Sequence, residues 1–221
     1  MPSFFPLSDN ALCIEFGNEI DKKINLQVIA LGKMLEQNPF VGFREVIPAY
    51  TTLTVFYDVF EIISFKNNTN SAYDFVKTYI ENLIQNNSLS LEETKKQIIT
   101  IPTIYEGEDL AFLAEYSQLS IDEVISIHSN TIYSVFMMGF LPGFAYLGGM
   151  DKRIAVPRRE SPRKKVMAGS VGIAGNQTGI YPIDSPGGWQ LIGKTNISLF
   201  DPQKSNPILL KAGDLVKFEI A

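Results

Sequence analysis

Along the first ninety residues, apolar positions follow two periods. Residues 11–17, ALCIEFG, form an apolar run closed by glycine and predict a strand. Asp21 then precedes Ile24, Val28, Leu31 and Leu35, spaced by threes and fours. An aspartate can accept the free N–H groups of a first turn, so a helix is predicted from Asp21 to about Asn38. Phe43 to Ile47 and Thr51 to Tyr57 alternate and are rich in β-branched and aromatic residues. They predict two strands around a turn at Pro48. Phe75, Val76, Tyr79, Ile80, Leu83 and Ile84 share one stripe of a second helix. The polar cluster QNNSLS marks a boundary near residues 88–96. Residues 1–90 thus predict a small α+β domain with helices on one face of a sheet.

After that boundary the pattern changes. KQIITIPTIY predicts a strand and EDLAFLAEYSQ a short helix. Ser120 opens S-I-D-E, a capping box, and a further short helix to about His128. From Thr131 onward no helical period remains. Short apolar runs such as TIYSVFMMGF, SVGIAG, WQLIG, NISLF and DLVKFEI are cut by Pro and Gly. That punctuation predicts a closed or nearly closed β-barrel for residues 91–221, and an α+β class for the whole chain.

Within this half, Gly188 to Thr195 reads GWQLIGKT and satisfies G-x-x-x-x-G-K-[ST]. A phosphate loop needs small residues, so that bare backbone N–H groups approach the anion, and it opens directly into a helix. Here Trp189, Gln190, Leu191 and Ile192 fill the loop, and NISLFDP follows, which reads as a strand. The match therefore predicts a barrel strand ending at Lys194. Gly169, Gly172, Gly175 and Gly179 likewise miss the G-x-G-x-x-G spacing of a dinucleotide loop.

Composition narrows the function class. Of 221 residues 45% are hydrophobic, enough for a substantial core, and the net charge of −5 disfavours non-specific nucleic-acid binding. No stretch approaches the roughly 20 apolar residues of a membrane span, and MPSFFPLSDN lacks a basic leader. One cysteine, Cys13, excludes an internal disulfide and fits a reducing, cytoplasmic setting. One histidine, His128, and no cysteine pair leave no basis for a metal site.

HSNTIYSVFMMGFLPGFAYLGG and PRRESPRKKVMAGSVGIAGNQTGIYPIDSPGGWQLIGKT together carry a long ordered motif set, strongest from Ile125 to Asp201. It resembles the bacterial KipI family, which includes the B component of the three-component 5-oxoprolinase and is similar to the first subunit of allophanate hydrolase-type carboxyltransferases. The resemblance implies a cyclophilin-like barrel and a cytosolic complex that opens 5-oxoproline to glutamate at the expense of ATP. It implies two partners in that complex, a homologous larger C component and an A component. Two alternatives stay open: inhibition of a sporulation-type histidine kinase, and a urea or allophanate carboxyltransferase component. Lys194 departs from the arginine expected there, and lysine lacks the planar fork for phosphate or carboxylate.

Candidate site residues come from the same segment. His128 is the one imidazole, suited either to proton transfer or to the dipole at a helix C-terminus. Arg158 and Arg163 each follow a proline, so each guanidinium sits on a stiffened turn and suits a carboxylate or phosphate. Gln177, Tyr181 and Ser185 offer polar contacts to an amide ring, and Phe144, Tyr146 and Trp189 offer walls; barrel core and turn chemistry is the competing role. Lys194 and Thr195 complete the binding candidates. Gly143 and Gly187, each after proline, are expected at positive φ. No nucleophile–base pair stands out, which implies catalysis shared with a partner chain.

Overall fold

The computed structural model describes residues 2–65, 71–87 and 97–221 of the chain. It divides into two compact units, Met1–Thr94 and Lys95–Ala221. The predicted boundary at residues 88–96 lies outside the described residues.

The first unit holds β1 (Ser3–Ser8), β2 (Ala11–Glu15), α1 (Lys22–Gln37), β3 (Phe43–Pro48), β4 (Thr52–Tyr57), α2 (Val59–Phe65) and α3 (Ala72–Asn86). Its four strands pair antiparallel in the order β1-β2-β4-β3. Asp21 caps α1 by accepting the N–H groups of Lys23 at 2.7 Å and Ile24 at 3.1 Å. The predicted stripe of Val28, Leu31 and Leu35 then packs with Leu12, Ile14, Leu53 and Val55 of the sheet and with Val76 and Ile80 of α3. Burying each such side chain contributes roughly 1.5–3 kcal/mol before entropy is counted. The hydrophobic pattern missed β1 and α2. β1 contains Pro6 and is mostly exposed, so it shows no alternation, and only one residue of α2, Ile62, is buried.

The second unit holds β5 (Ile98–Thr103), α4 (Leu110–Ser117), α5 (Ile121–Asn130), β6 (Ile132–Met138), β7 (Ala145–Gly148), a 3-10 turn (Lys152–Ile154), β8 (Arg163–Val166), β9 (Ser170–Ala174), β10 (Gln177–Ile180), β11 (Ser185–Gly187), β12 (Gln190–Lys194) and β13 (Leu215–Ile220). Seven strands form one sheet in the order β12-β9-β10-β7-β6-β13-β5. All its pairings are antiparallel except β13 with β5. A bridge between Ile104 and Lys194, with N–H···O distances of 2.8 and 2.9 Å, joins the ends of the two edge strands. The sheet is therefore nearly closed, as the run lengths predicted. β11 and β8 form a separate two-stranded ribbon.

Ser120 and Glu123 form the predicted capping box. The helix it opens runs past His128 to Asn130, so His128 lies inside the last turn rather than at the end. NISLF is not a strand; it contributes only the isolated bridge Phe200–Ile208. The barrel core gathers Val135, Leu147, Val171, Ile173, Val216 and Phe218. A smaller cluster beside it holds Phe144, Val166, Ala174, Tyr181, Trp189 and Leu191. No described helix is long and apolar enough to cross a membrane.

Candidate functional site

Three groups of side chains in the second unit carry polar chemistry into or beside the core. The first surrounds His128, which is fully buried. Its Nε2 lies 2.9 Å from Thr178 Oγ1 and its Nδ1 lies 2.7 Å from the Tyr105 hydroxyl. Thr178 donates its own proton to the Gly172 carbonyl at 3.0 Å, so it must accept from Nε2–H. Nδ1 then holds the lone pair and accepts from Tyr105. Phe218 packs against the imidazole at 4.4 Å between ring centroids, and Tyr133 donates to the His128 carbonyl at 2.9 Å. Burial pushes the imidazole pKa down to about 3 and raises that of the Tyr105 hydroxyl. His128 is thus neutral and satisfied at both nitrogens. A charge–dipole role at the helix end does not apply to it, and it shares no partner with Arg158 or Arg163.

The second group centres on Asp109, whose side chain is 8% exposed. Asp109 stands at the N-cap of α4 but makes no cap hydrogen bond. Its oxygens instead accept from Arg163 Nη2 at 2.6 and 2.8 Å, from Arg159 Nη1 at 3.0 Å, and from the Leu191 N–H at 2.6 Å. Arg163 also donates to the Trp189 carbonyl at 3.2 Å and reaches Glu108. Its guanidinium, 13% exposed, is therefore committed within the chain. These bonds clamp the 157–163 segment to α4 and β12 through Arg159 and Arg163.

Beside those clamped arginines lies Arg158. It is exposed and makes no ion pair with a carboxylate among the described residues. Its charge acts on the phenols of Tyr146 and Tyr181: burial raises the pKa of each, and Arg158 draws Tyr146 part of the way back, while for Tyr181 a hydrogen bond with the Trp189 backbone does so first, followed by Arg158 and Arg163. Those phenols belong to the third group, an aromatic cluster. Phe144 meets Tyr146 at 4.8 Å and both Tyr181 and Trp189 at 5.4 Å, all edge to face. Four of the predicted wall and contact residues are thereby brought together. Ser185, on the ribbon strand β11 paired to Val166, is buried and its Oγ has no hydrogen-bond partner. Gln177 opens β10 beside Ala174 and is half-buried. Gly187 does not adopt positive φ; a Cβ there would collide with the Tyr181 ring. Gly143 does, at φ 83°.

Lys194 and Thr195 stand apart from this group. GWQLIGKT is the strand β12 and its preceding turn, paired to β9. Lys194 projects into solvent 3.7 Å from Glu106, and the Thr195 N–H bonds the Gly169 carbonyl. The segment has neither the bare loop nor the following helix that holds phosphates. The described residues contain no group of three or more His, Cys, Asp or Glu able to hold a metal. A groove of about 410 Å³ lies elsewhere, between α5 and the 3-10 turn. Its polar groups are already used: Asp151 accepts from Arg153, and Glu123 caps α5.

Sequence reasoning missed Asp109, Tyr105 and Thr178. Asp109 reads locally as an ordinary helix cap. The segment PRRESPRKK offered only a weak hint, since a guanidinium needs a carboxylate partner only if folding buries it.

Residues 2–210 match the family described as carboxyltransferase domain, subdomain C and D. The chain is similar to the B subunit of 5-oxoprolinase from Bacillus subtilis, with 50% identity over 216 residues, covering 96% of this chain and 90% of that protein. It is 40% identical over 217 residues to the B subunit of 5-oxoprolinase from Haemophilus influenzae, covering 96% and 95%. Among solved structures it resembles TTHA0988, with a TM-score of 0.81 and 32% identity over 96% of this chain. It spans only 40% of that longer chain.

Proposed function

The chain belongs to the carboxyltransferase-domain family, subdomains C and D, and we propose that it is the B-type subunit of an ATP-dependent 5-oxoprolinase, converting 5-oxoproline to glutamate together with partner subunits. The observation that carries this reading is the 50% identity to a 5-oxoprolinase B subunit over nine-tenths of that protein's length. The barrel is read as cyclophilin-like and the setting as cytoplasmic.

What the side chains offer supports partner dependence. Opening a lactam needs an activated carbonyl, a nucleophile and a proton path. The imidazole of His128 is sealed in the core and neutral. Cys13 is buried, and desolvation raises its thiol pKa, so it is a poor nucleophile. What remains open to a small molecule is recognition: the exposed guanidinium of Arg158, without an ion pair among the described residues, whose charge acts on the half-buried Tyr146, itself packed on the buried rings of Phe144 and Trp189. A guanidinium fork suits the carboxylate of 5-oxoproline, and the exposed part of the Tyr146 ring suits the lactam ring. ATP is assigned to the complex, since GWQLIGKT offers no phosphate cradle. A larger C component and an A component are the proposed partners. The occurrence of this module as 40% of a longer chain supports a neighbour held close to it.

The test is reconstitution of the three components, reading 5-oxoproline-dependent ATP hydrolysis and glutamate release. Omitting this chain should abolish both. Arg158→Lys should lower turnover while gel filtration shows intact assembly, because the charge stays and the fork is lost. Full activity without the chain would overturn the reading, and full activity in Arg158→Lys would remove that residue from the site.

A further inference from the structure

The connection between β6 and β7, Gly139 to Phe144, is held by three backbone hydrogen bonds. Gly139 N–H donates to the Phe144 carbonyl at 3.2 Å and closes the hairpin end. Phe144 N–H donates to the Leu141 carbonyl at 3.0 Å across Pro142 and Gly143, with Gly143 at φ 83°. Proline followed by glycine is what such a turn favours. The third bond, Leu141 N–H to the Gly139 carbonyl at 2.8 Å, spans only one residue, Phe140, whose φ is 68°. A two-residue bond about a residue at positive φ is the rarer, strained form of the γ-turn. Glycine enters that region freely, whereas a bulky side chain there is a conformational outlier.

Core packing does not explain why phenylalanine occupies this position. The residue is 61% exposed. Its one described ring contact is edge-on to Phe144, at 5.5 Å and 88°. Phe144 is itself buried and touches Tyr146, Tyr181 and Trp189. Phe140 is therefore a solvent-facing member of the aromatic group that includes Tyr146 and Tyr181, the two phenols on which the charge of Arg158 acts. Strained backbone that persists without a packing gain marks a position held for function.

We propose that Phe140 is a substrate-binding residue, its ring held by the strained turn so that it covers the ring of a small cyclic carboxylic acid whose carboxylate Arg158 receives. The inference rests on the 5-oxoprolinase reading and adds to it a residue outside the predicted set. Binding then needs little rearrangement of the loop, because the turn has already fixed the phenylalanine.

The experiment compares Phe140→Gly, Phe140→Leu and Phe140→Tyr in the reconstituted three-component complex, with 5-oxoproline and ATP varied separately. Glycine relieves the turn, so thermal stability of the chain should hold or rise. The KM for 5-oxoproline should increase about 5- to 10-fold in the glycine and leucine variants, the scale of one aromatic contact. The KM for ATP should not move, and tyrosine should restore the wild-type value to within about 2-fold. An unchanged KM for 5-oxoproline in both ring-deleted variants overturns the inference alone. Loss of assembly in both, with each chain still folded, also overturns it, since the ring would then belong to an interface with a partner. A wild-type complex without 5-oxoproline turnover overturns the underlying reading and this inference with it.

Discussion

Acidifying the protein from pH 7 to pH 5 should weaken the Lys95–Ala221 unit by the linkage of a single proton, that of His128. In the unfolded chain an imidazole titrates near 6.5. In the folded unit burial holds it down to about 3, with both nitrogens already occupied. Because the folded value is depressed, the contribution is fully present above about pH 6.5 and is lost as the pH falls toward 3. The loss between pH 7 and pH 5 amounts to about 2 kcal/mol, approaching 1.4 kcal/mol per pH unit at the acid end. His128→Gln removes the titration. It should also cost about 1–3 kcal/mol at pH 7, because Tyr105 or Thr178 is left with an unmade hydrogen bond. The assay is urea unfolding at several pH values, followed by fluorescence of Trp189. As the sole tryptophan, Trp189 reports only on this unit. Carboxylates titrate alike in both proteins and cancel in the difference. A parallel proton NMR titration follows the one imidazole directly. The reasoning fails if that imidazole titrates near 6.5 in the folded chain, or if wild type and His128→Gln lose stability with the same slope.

Two further substitutions test the groups around it. Asp109→Ala leaves the largely buried Arg163 without its carboxylate and strips the Leu191 N–H of its acceptor. It should destabilise the unit by about 3–5 kcal/mol in the same urea assay, and a loss below about 1 kcal/mol would show that the cluster is not a clamp. Lys194→Ala removes an exposed side chain whose one ion pair, to Glu106, is itself exposed. It should change stability by less than about 0.5 kcal/mol and leave any ATP affinity of the isolated chain unaltered by calorimetry. Tight ATP binding lost on this substitution would restore a phosphate-loop role for GWQLIGKT.

The features legible in the chain alone were local ones. A helix announces itself where capping residues and a 3.6-residue stripe coincide, and Asp21 with Val28, Leu31 and Leu35, or Ser120 with Glu123, did so within a few turns of chain. The strand character of GWQLIGKT was legible for the same reason: bulky Trp189, Leu191 and Ile192 exclude a phosphate loop whatever lies elsewhere. The short runs after Thr131 likewise carried enough turn chemistry to foretell a nearly closed barrel. β1 and α2 escaped because each buries at most one side chain and so imprints little period on the sequence. Which polar groups meet was settled by folding. Asp109 reaches Arg163 across 54 residues and His128 reaches Thr178 across 50, and no local pattern encodes either pairing. That meeting changes the chemistry of the residues involved. An imidazole that looked available for proton transfer becomes a neutral core bond, because barrel closure removes water from it. Arg163 becomes a strut, and Arg158, alike in sequence context, makes no ion pair among the described residues. The difference between those two arginines is the placement of one buried carboxylate, which is fixed by the packing of α4 against β12 and by nothing in the segment that carries them.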